Sequence, residues 1–290
     1  MTPRSFVRLV VLCLVGSVIA AVWTHSAQHH MMVPVTIDGE RVDLALRVAT
    51  PVGPGPFPTL IFHHGSTGGG TDPSTFATPY YPKPLVDWFT ARGWAVVLPS
   101  RRGRGGSQGL YDEGFSQDRS KGYTCDEERL LAGARRGLRD IEAITPVIMA
   151  LPFVDARQVV VGGHSRGGAL AVLWASRHPN EAWAVLNFSG GWRSTSCSTA
   201  TAVNQALFDD DPPHAPPSLW IYGEADSLFP LPHSRANFDA FEAGGGKASF
   251  TALTPPSGID GHQIVDLPVL WEGDVSRFLA DQGLALEAVH

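Results

Sequence analysis

Short apolar runs alternate along the chain with segments in which apolar residues recur every three or four positions. The short runs predict strands at residues 33–37, 42–48, 59–63, 94–98, 159–162, 183–188, 218–222 and 248–253. The amphipathic segments predict helices at residues 85–92, 126–151, 166–177, 234–243 and 269–282. Continuously apolar strands separated by helices are typical of a mostly parallel sheet that helices cover on both faces. The pattern predicts one α/β domain with a sheet of about eight strands flanked by helices.

Two longer segments interrupt this alternation. Residues 101–125 are polar and rich in glycine, and residues 191–217 contain one short predicted helix near 200–208. The second segment is too short for a separate cap domain, so the sequence predicts a minimal lid. No internal repeat or low-complexity linker divides residues 28–290, which we therefore assign to a single catalytic domain.

The first 27 residues have a different pattern. Arg4 and Arg8 precede an uncharged apolar run at residues 9–23, which is shorter than the about 20 residues that a membrane-spanning helix needs. A basic start followed by a short apolar run is typical of an export signal. An uncleaved anchor formed by residues 9–23 and an apolar start of a cytoplasmic protein are the alternatives. We expect residues 1–27 to be an export signal or N-terminal anchor of a periplasmic or secreted protein, with membrane contact only if the segment is retained.

Composition narrows the classes of function. The 290 residues are 43% hydrophobic and 17% charged, and the formal net charge is -6. A chain of this length buries about three quarters of its unfolded surface, so a large core is possible. The low charged fraction excludes a disordered chain, and the excess of acidic residues excludes the basic surface that nucleic acid binding needs. The 31 glycines and 23 prolines indicate many tight loops.

The sequence Gly-His-Ser-Arg-Gly at residues 163–167 follows an apolar run and precedes a predicted helix. A G-x-S-x-G motif in this context forms a sharp turn, the nucleophile elbow, which exposes its serine at the end of the strand. Small residues are needed on both sides because the turn brings strand and helix together. The helix that follows presents unpaired N–H groups, which favour developing negative charge. These features predict Ser165 as a nucleophile.

A nucleophilic serine needs a histidine base and an acid that orients it, and in this type of fold the acid precedes the histidine. The seventh predicted strand leads directly into a segment with two carboxylates, of which we select Asp226 as the acid and keep Glu224 as the alternative. His262 lies in a glycine-flanked segment after the last predicted strand and is selected as the base. His214 and His233 are weaker candidates because neither follows a final strand.

An oxyanion hole requires two main-chain N–H donors aimed at the substrate oxygen. The residue after the nucleophile supplies one, so we expect the N–H of Arg166. The glycine-rich loop after the third predicted strand supplies the other, and we expect the N–H of Ser66, with Gly65 as the alternative. His63 and His64 are adjacent, but neighbouring residues of a strand point to opposite faces. With no third ligand at suitable spacing, we predict no metal and no other cofactor.

These segments resemble the α/β-hydrolases, and most closely the branch of dienelactone hydrolases and prolyl-oligopeptidase-like enzymes. The resemblance is carried, in the family's order, by residues 64–66 (His-Gly-Ser), 101–107 (Arg-Arg-Gly-Arg-Gly-Gly-Ser), 163–167, 223–226 (Gly-Glu-Ala-Asp) and 261–262 (Gly-His). It implies a triad and two oxyanion donors at the residues selected above: Ser165, Asp226, His262, Ser66 and Arg166. The dienelactone hydrolases usually carry a cysteine where Ser165 stands, and the oligopeptidases carry a propeller domain, so neither specific activity is implied.

Two cysteines fall in the long segments near the edge of the sheet where the site is expected. Cys125 ends the first segment and Cys197 lies in the second. We predict a disulfide between them, which an oxidising compartment would favour, with two separate thiols as the alternative.

Three arginines follow the fourth predicted strand. We favour structural ion pairs between them and nearby carboxylates, with binding of an acidic substrate group as the alternative. The arginines are Arg101, Arg102 and Arg104, and the carboxylates are Asp112, Glu113 and Asp118.

Together the assignments predict a serine hydrolase that transfers an acyl group to water through an acyl-enzyme. We expect small or medium carboxylic esters as substrates, with a peptide or amide bond as the alternative. A catalytically silent exported binding protein with the same fold is the non-enzymatic alternative. The complete set of Ser165, Asp226 and His262 favours the enzyme.

Overall fold

The computed structural model describes residues 22–23, 27–209, 212–284 and 286. The strands of the main sheet are β1 (Ala27–Ile37), β2 (Glu40–Thr50), β3 (Phe57–His63), β4 (Ala95–Pro99), β5 (Val154–His164), β6 (Ala184–Phe188), β7 (Ser218–Gly223) and β8 (Ala248–Leu253). Within the described residues they form one sheet in the order β1-β2-β4-β3-β5-β6-β7-β8. The pairs β1/β2 and β2/β4 are antiparallel, and all other neighbours are parallel. This confirms the predicted eight-stranded, mostly parallel sheet.

Helices cover both faces of this sheet. They are α1 (Lys83–Thr90), α2 (Glu127–Met149), α3 (Arg166–Arg177), α4 (Ala200–Phe208), α5 (Leu231–Ala243) and α6 (Pro268–Asp281). Apolar residues of α2, α3, α4 and α5 form one buried cluster with the sheet, and those of α1 and α6 form another. In β5, Val159 and Val161 belong to the first cluster and Val160 to the second. This alternation is what the pleat of a strand buried on both faces requires.

Several elements extend beyond their predicted bounds. Strands β1 and β2 pair over eleven residues each, because polar residues at the edge of the sheet continue the ladder after the apolar pattern has ended. Helix α5 begins at Leu231 rather than at residue 234, since Pro232 fits the first turn of a helix, where its missing N–H is not needed. The apolar pattern therefore locates the elements better than their ends.

The N-terminal region is described only in part. Val22–Trp23 pairs in antiparallel fashion with Gly53–Pro54, a contact that the sequence did not predict. Apart from these two residues and Ala27, the predicted export segment at residues 1–27 lies outside the described residues. In the ranges that are described, none of the helices combines the length and apolar character that crossing a membrane requires.

The parallel strands β3, β5, β7 and β8 end at the same edge of the sheet. Loops that follow such strands meet in the crevice beyond their carboxyl ends, where ligands bind in open α/β sheets. The predicted site residues follow these four strands, so the topology brings them to one place.

Candidate active site

Ser165 lies at the sharp turn between β5 and α3. Its φ and ψ angles are 57° and -124°, a combination that residues other than glycine seldom adopt. The flanking positions have no room for a side chain. A Cβ at Gly163 would lie 2.2 Å from the carbonyl carbon of Gly167, and a Cβ at Gly167 would lie 2.1 Å from the main-chain oxygen of His63. This close contact explains the spacing of the G-x-S-x-G motif.

Asp226 and His262 lie against each other at the same edge of the sheet. Nδ1–H of His262 donates a hydrogen bond of 3.0 Å to Oδ2 of Asp226. The other carboxylate oxygen accepts the N–H groups of Leu228 and Phe229, each at 2.8 Å. The Asp226 side chain is fully buried. In the tautomer with the hydrogen on Nδ1, Nε2 of His262 presents a lone pair that can accept a proton.

His262 is the second residue of a 3-10 helix, Gly261–Asp266, although the sequence predicted a loop. Asp260 caps this helix, because its Oδ1 accepts the N–H of His262 at 2.8 Å and that of Ser227 at 3.1 Å. Partial burial opposes ionisation, but the hydrogen bonds from Ser227 and His262 lower the pKa of the Asp260 carboxyl. An aspartate directly before a helix is a known start signal, so this element was open to prediction.

His164 links the strand before Ser165 to His262. It is the last residue of β5 and directly precedes Ser165, and its Nε2 lies 2.8 Å from the main-chain oxygen of His262. The ring centroids of His164 and His262 are 4.6 Å apart. The structure thus brings the end of β5, His262 and Asp226 together. His164, which makes the contact from β5, was not selected from the sequence.

The oxyanion loop, residues 64–67, lies beside the nucleophile. A Cβ at Gly65 would be 2.9 Å from the Cβ of Ser165. The main-chain oxygen of Gly65 accepts Nδ1–H of His64 at 2.8 Å and Nη1 of Arg104 at 3.5 Å. Because C=O and N–H point in opposite directions across a trans peptide, these bonds aim the N–H of Ser66 away from the His64 ring. The predicted donor therefore has a fixed direction.

His64 is held in one tautomer. Its Nδ1–H donates to Gly65, as described above, while its Nε2 accepts the N–H of Arg101 at 3.1 Å. Burial and then the charge of Arg101 hold the pKa of His64 well below its ordinary value, so the ring is neutral. Nη1 of Arg101 also donates to the main-chain oxygen of His64 at 2.9 Å. These bonds tie the oxyanion loop to the segment at residues 101–125.

Arg166 contributes more than the main-chain donor predicted for it. As the first residue of α3, its N–H has no acceptor within the helix. Its guanidinium carbon lies 3.9 Å from the ring centroid of Tyr123 and 4.5 Å from that of Trp192. Nη1 donates to the main-chain oxygen of Glu113 at 2.7 Å, and Nε donates to that of Trp192 at 2.9 Å. The side chain therefore connects the two long segments beside the nucleophile.

A buried cluster of charged and phenolic groups lies behind the oxyanion loop. Glu113 accepts Nη2 of Arg101 at 3.2 Å and the hydroxyl of Tyr111 at 2.9 Å. The hydroxyls of Tyr111 and Tyr123 are 2.8 Å apart, and Tyr123 lies 3.0 Å from the hydroxyl of Thr67. Burial opposes ionisation of Glu113, but the charge and hydrogen bond of Arg101, together with the charges of Arg166 and Arg104, outweigh it and lower the pKa of the carboxyl. The pair of Arg101 and Glu113 falls within the set of arginines and carboxylates for which the sequence favoured structural pairing, although individual partners were not assigned.

The two remaining arginines have partners other than those predicted. Nε of Arg102 lies 2.6 Å from Oδ1 of Asp140, and Nη1 lies 3.4 Å from Oδ2 of Asp38. Asp140 is distant in sequence and reaches Arg102 because it lies on the buried face of α2. The guanidinium carbon of Arg104 lies 5.3 Å from the ring centroid of Tyr111. Structural pairing is therefore correct for Arg101 and Arg102, but the partner of Arg102 was wrong.

Cys125 and Cys197 form a disulfide with their Cα atoms 5.6 Å apart, which confirms the predicted pair. Nε of Arg193 donates to the main-chain oxygen of Thr124 at 3.1 Å, and the Thr199 hydroxyl donates to that of Cys125 at 2.8 Å. The disulfide and these bonds join the two long segments next to the site. A disulfide is compatible with the predicted export, because such bonds persist in oxidising compartments.

The alternative candidates for acid and base take other roles. Glu224 is exposed and accepts the hydroxyl of Thr254 at 2.9 Å. Nε2 of His233 accepts the side-chain amides of Asn204 and Asn237 at 2.9 and 3.2 Å. Neither is in the position of Asp226 or His262 relative to the nucleophile.

His63 is the last residue of β3, and His64 follows it. Burial and then the charge of Arg101 lower the pKa of His63 to about 3, and His64 is held by the bonds described above. In the part of the chain that the structure describes, no group of three or more His, Cys, Asp or Glu side chains is arranged to hold a metal ion.

Comparison with known proteins identifies the family and the fold of this chain. Residues 60–287 match the alpha/beta hydrolase family. The chain is similar in structure to the esterase Pf2001 of Pyrococcus furiosus, with 15% identity, a TM-score of 0.60, and coverage of 88% of this chain and 90% of that chain. The acetyl xylan esterase from Paenibacillus sp. R4 gives 15% identity, a TM-score of 0.60, and coverage of 88% and 89%. A protein assigned as a dienelactone hydrolase from Klebsiella pneumoniae gives 18% identity, a TM-score of 0.53, and coverage of 89% and 99%.

The solved structures share the fold with this chain at low sequence identity. The family match begins within β3 and ends after α6. It therefore includes residues 64–67, the Gly-His-Ser-Arg-Gly turn at 163–167, and the loops that carry Asp226 and His262. The chain belongs to the α/β-hydrolase family.

Proposed function

We propose that this protein is a serine hydrolase that cleaves small or medium carboxylic esters through an acyl-enzyme. The proposal is carried by the 3.0 Å hydrogen bond between Nδ1 of His262 and Asp226, next to a serine whose φ is positive. A serine in this backbone conformation at a helix N-terminus, beside a histidine with an available Nε2, is the arrangement that acyl transfer uses.

In the proposed reaction, Oγ of Ser165 attacks the ester carbonyl carbon while Nε2 of His262 takes its proton. The carbonyl oxygen becomes an oxyanion and accepts the N–H groups of Ser66 and Arg166. The bond to the leaving alcohol breaks, and His262 gives its proton to that alcohol. Water then attacks the acyl-enzyme with His262 as base, which releases the carboxylic acid and restores Ser165. Asp226 keeps the hydrogen on Nδ1 throughout and stabilises the imidazolium.

Two features support an ester as the substrate. In the described part of the segment at residues 191–217, the helical elements are α4 and the 3-10 helix Pro212–His214, which are too short to form a separate cap domain. Two proteins of similar fold carry the name esterase, and one of them is named for acetyl xylan. A small-molecule ester is therefore the proposed partner of the site.

A fluorophosphonate probe and a substrate panel test the proposal. The probe should label the wild type and Ser176→Ala, a control on α3 whose hydroxyl bonds to the main chain of Val172, but not Ser165→Ala. Hydrolysis of p-nitrophenyl acetate and butyrate should fall at least about 10⁴-fold in Ser165→Ala. The panel also contains aminoacyl p-nitroanilides.

Three results would contradict the proposal. Labelling of Ser165→Ala at the wild-type rate would exclude Ser165 as the nucleophile. Turnover of the anilides without turnover of the esters would replace ester hydrolysis by peptide or amide hydrolysis. An unlabelled wild type that turns over no substrate of either kind would point to the catalytically silent binding protein.

A further inference from the structure

His164 lies between the nucleophile and the base without belonging to the triad. It is the last residue of β5, directly before Ser165. Its Nε2 lies 2.8 Å from the main-chain oxygen of His262, which is 98 positions away in sequence. A carbonyl oxygen accepts, so Nε2 must carry the hydrogen. One hydrogen bond therefore links the strand that carries the nucleophile to the 3-10 helix that carries the base.

The donor in this bond is neutral. Burial, followed by the charge of His262, lowers the pKa of His164 to about 3. The ring centroids of His164 and His262 are 4.6 Å apart. In the proposed reaction His262 becomes an imidazolium, and a second cation at this distance would oppose that step. A neutral N–H donor restrains His262 without this penalty.

Hydrogen bonds to groups from different parts of the chain restrain His262. Asp226, which follows β7, accepts Nδ1–H, and Asp260, which precedes the 3-10 helix, accepts the main-chain N–H. His164 donates to the main-chain oxygen. Of these three partners, His164 is the one on the strand that carries Ser165. The first bond orients the ring, the second holds the start of the 3-10 helix, and the third ties this helix to the strand that ends directly before Ser165.

The ring of His164 is itself restrained. Tyr80 stacks against it with a centroid distance of 6.4 Å and an interplanar angle of 13°. Tyr80 packs in turn against Phe62 of β3, with a centroid distance of 6.5 Å. The ring of His164 is therefore packed against Tyr80, which in turn rests on the core of the sheet.

We propose that His164 is a positioning residue whose Nε2–H holds the main chain of His262 at the distance from Ser165 that proton transfer requires. The inference rests on the proposed function. Misplacement of reacting groups by about 1 Å lowers rates by about 10²-fold, so the loss of one restraint should be visible in kcat.

Three variants separate the hydrogen bond from the packing of the ring. His164→Phe keeps a ring next to Tyr80 but removes the donor. His164→Gln places an amide N–H near the position of Nε2. His164→Asn also carries an amide, but its side chain is one carbon shorter and its N–H does not reach the oxygen of His262. Each variant is assayed for kcat and KM on p-nitrophenyl butyrate, for the rate of fluorophosphonate labelling, and for thermal unfolding.

We expect His164→Phe and His164→Asn to lower kcat by about 10- to 100-fold with little change in KM, and His164→Gln to stay within about threefold of the wild type. Labelling rates should follow kcat, because both depend on activation of Ser165 by His262. If His164→Phe does not fold, the comparison of the Asn and Gln variants carries the test.

The outcomes separate this inference from the proposed function. A wild type that hydrolyses the ester, together with Phe and Asn variants that are folded and equally active, would overturn the role of His164 alone. A Gln variant that loses as much activity as the Phe variant would also overturn it, because the donor would then not be the cause. A wild type without labelling or turnover would instead reject the proposed function.

Discussion

The oxyanion side of the site (residues 64–67, Arg101, Glu113 and Arg166) and the base side (Asp226, Asp260 and His262) are held by different interactions. On the oxyanion side, two guanidinium groups and one carboxylate are buried together, with side-chain exposures of 2 to 3%. On the base side, carboxylates accept main-chain N–H groups of residues two or three positions away.

Because of this difference, substitutions on the two sides should affect different properties of the protein, its stability on one side and the rate of the proposed reaction on the other. A buried ion pair contributes little net stability, but the removal of one partner leaves an uncompensated charge in the interior. A carboxylate that accepts nearby N–H groups shapes a local turn, and an amide of the same shape can keep most of those bonds. Changes on the oxyanion side should therefore unfold the protein, whereas changes on the base side should mainly slow the proposed reaction.

Asp226→Asn should have the largest effect. The amide oxygen can still accept the N–H groups of Leu228 and Phe229, so the loop should persist. The amide group facing Nδ1 of His262 would favour the wrong tautomer, and we expect kcat on p-nitrophenyl butyrate to fall by about 10³- to 10⁴-fold. Thermal unfolding should change little. A variant with kcat within tenfold of the wild type would contradict the assignment of Asp226.

Glu113→Gln should give the next largest effect, on stability. The substitution leaves the buried Arg101 and Arg166 without their carboxylate, which we expect to lower the free energy of unfolding by about 3–5 kcal/mol. Urea denaturation with the disulfide intact measures this change. Glu242→Gln, an exposed change on α5, is the matched control and should stay within about 0.5 kcal/mol of the wild type.

The stability of the wild type and that of Glu113→Gln should respond differently to acid. The pKa of Glu113 is lower in the folded chain than in the unfolded chain, so its stabilisation is complete above the unfolded pKa and is lost as pH falls through the folded pKa. The difference in stability between wild type and Glu113→Gln should therefore shrink in acid. A difference that is constant from neutral pH to acid would show that the ionised carboxylate is not the cause.

Asp260→Ala should have the smallest effect of the three. It removes the cap of the 3-10 helix and the link to Ser227, for which we expect a loss of about 1 kcal/mol in the free energy of unfolding. Asp260→Asn keeps an acceptor and should lose less. If Asp260→Ala lowered the free energy of unfolding as much as Glu113→Gln, the two sides of the site would not differ in their contribution to stability.

The sequence predicted the fold and the candidate triad because both depend on local signals. The apolar runs give the strands, and the spacing of Gly163, Ser165 and Gly167 follows from the contact between β5 and α3. Asp226 was selected from the order of elements in the family, and its contact with His262 follows because β7 and β8 are parallel neighbours.

What the sequence did not predict depends on long-range contacts. The partner of Arg102 is Asp140, whose direction depends on the rotation of α2 about its axis. The bond from His164 to His262 and the phenol pair of Tyr111 and Tyr123 depend on how loops from different strands meet. Such contacts have no periodic signal, because each depends on the placement of two separate segments.

The disulfide between Cys125 and Cys197 also has a consequence for the connectivity of the chain. With a sequence separation of 72, it closes a covalent ring that contains α2, β5, α3 and β6, and hence Ser165. Asp226, His262 and residues 64–67 lie outside the ring. A single cleaved peptide bond inside the ring leaves one covalently joined molecule, whereas a cleavage outside it yields two chains. Ser165 thus occupies the part of the protein in which one proteolytic nick cannot release a fragment.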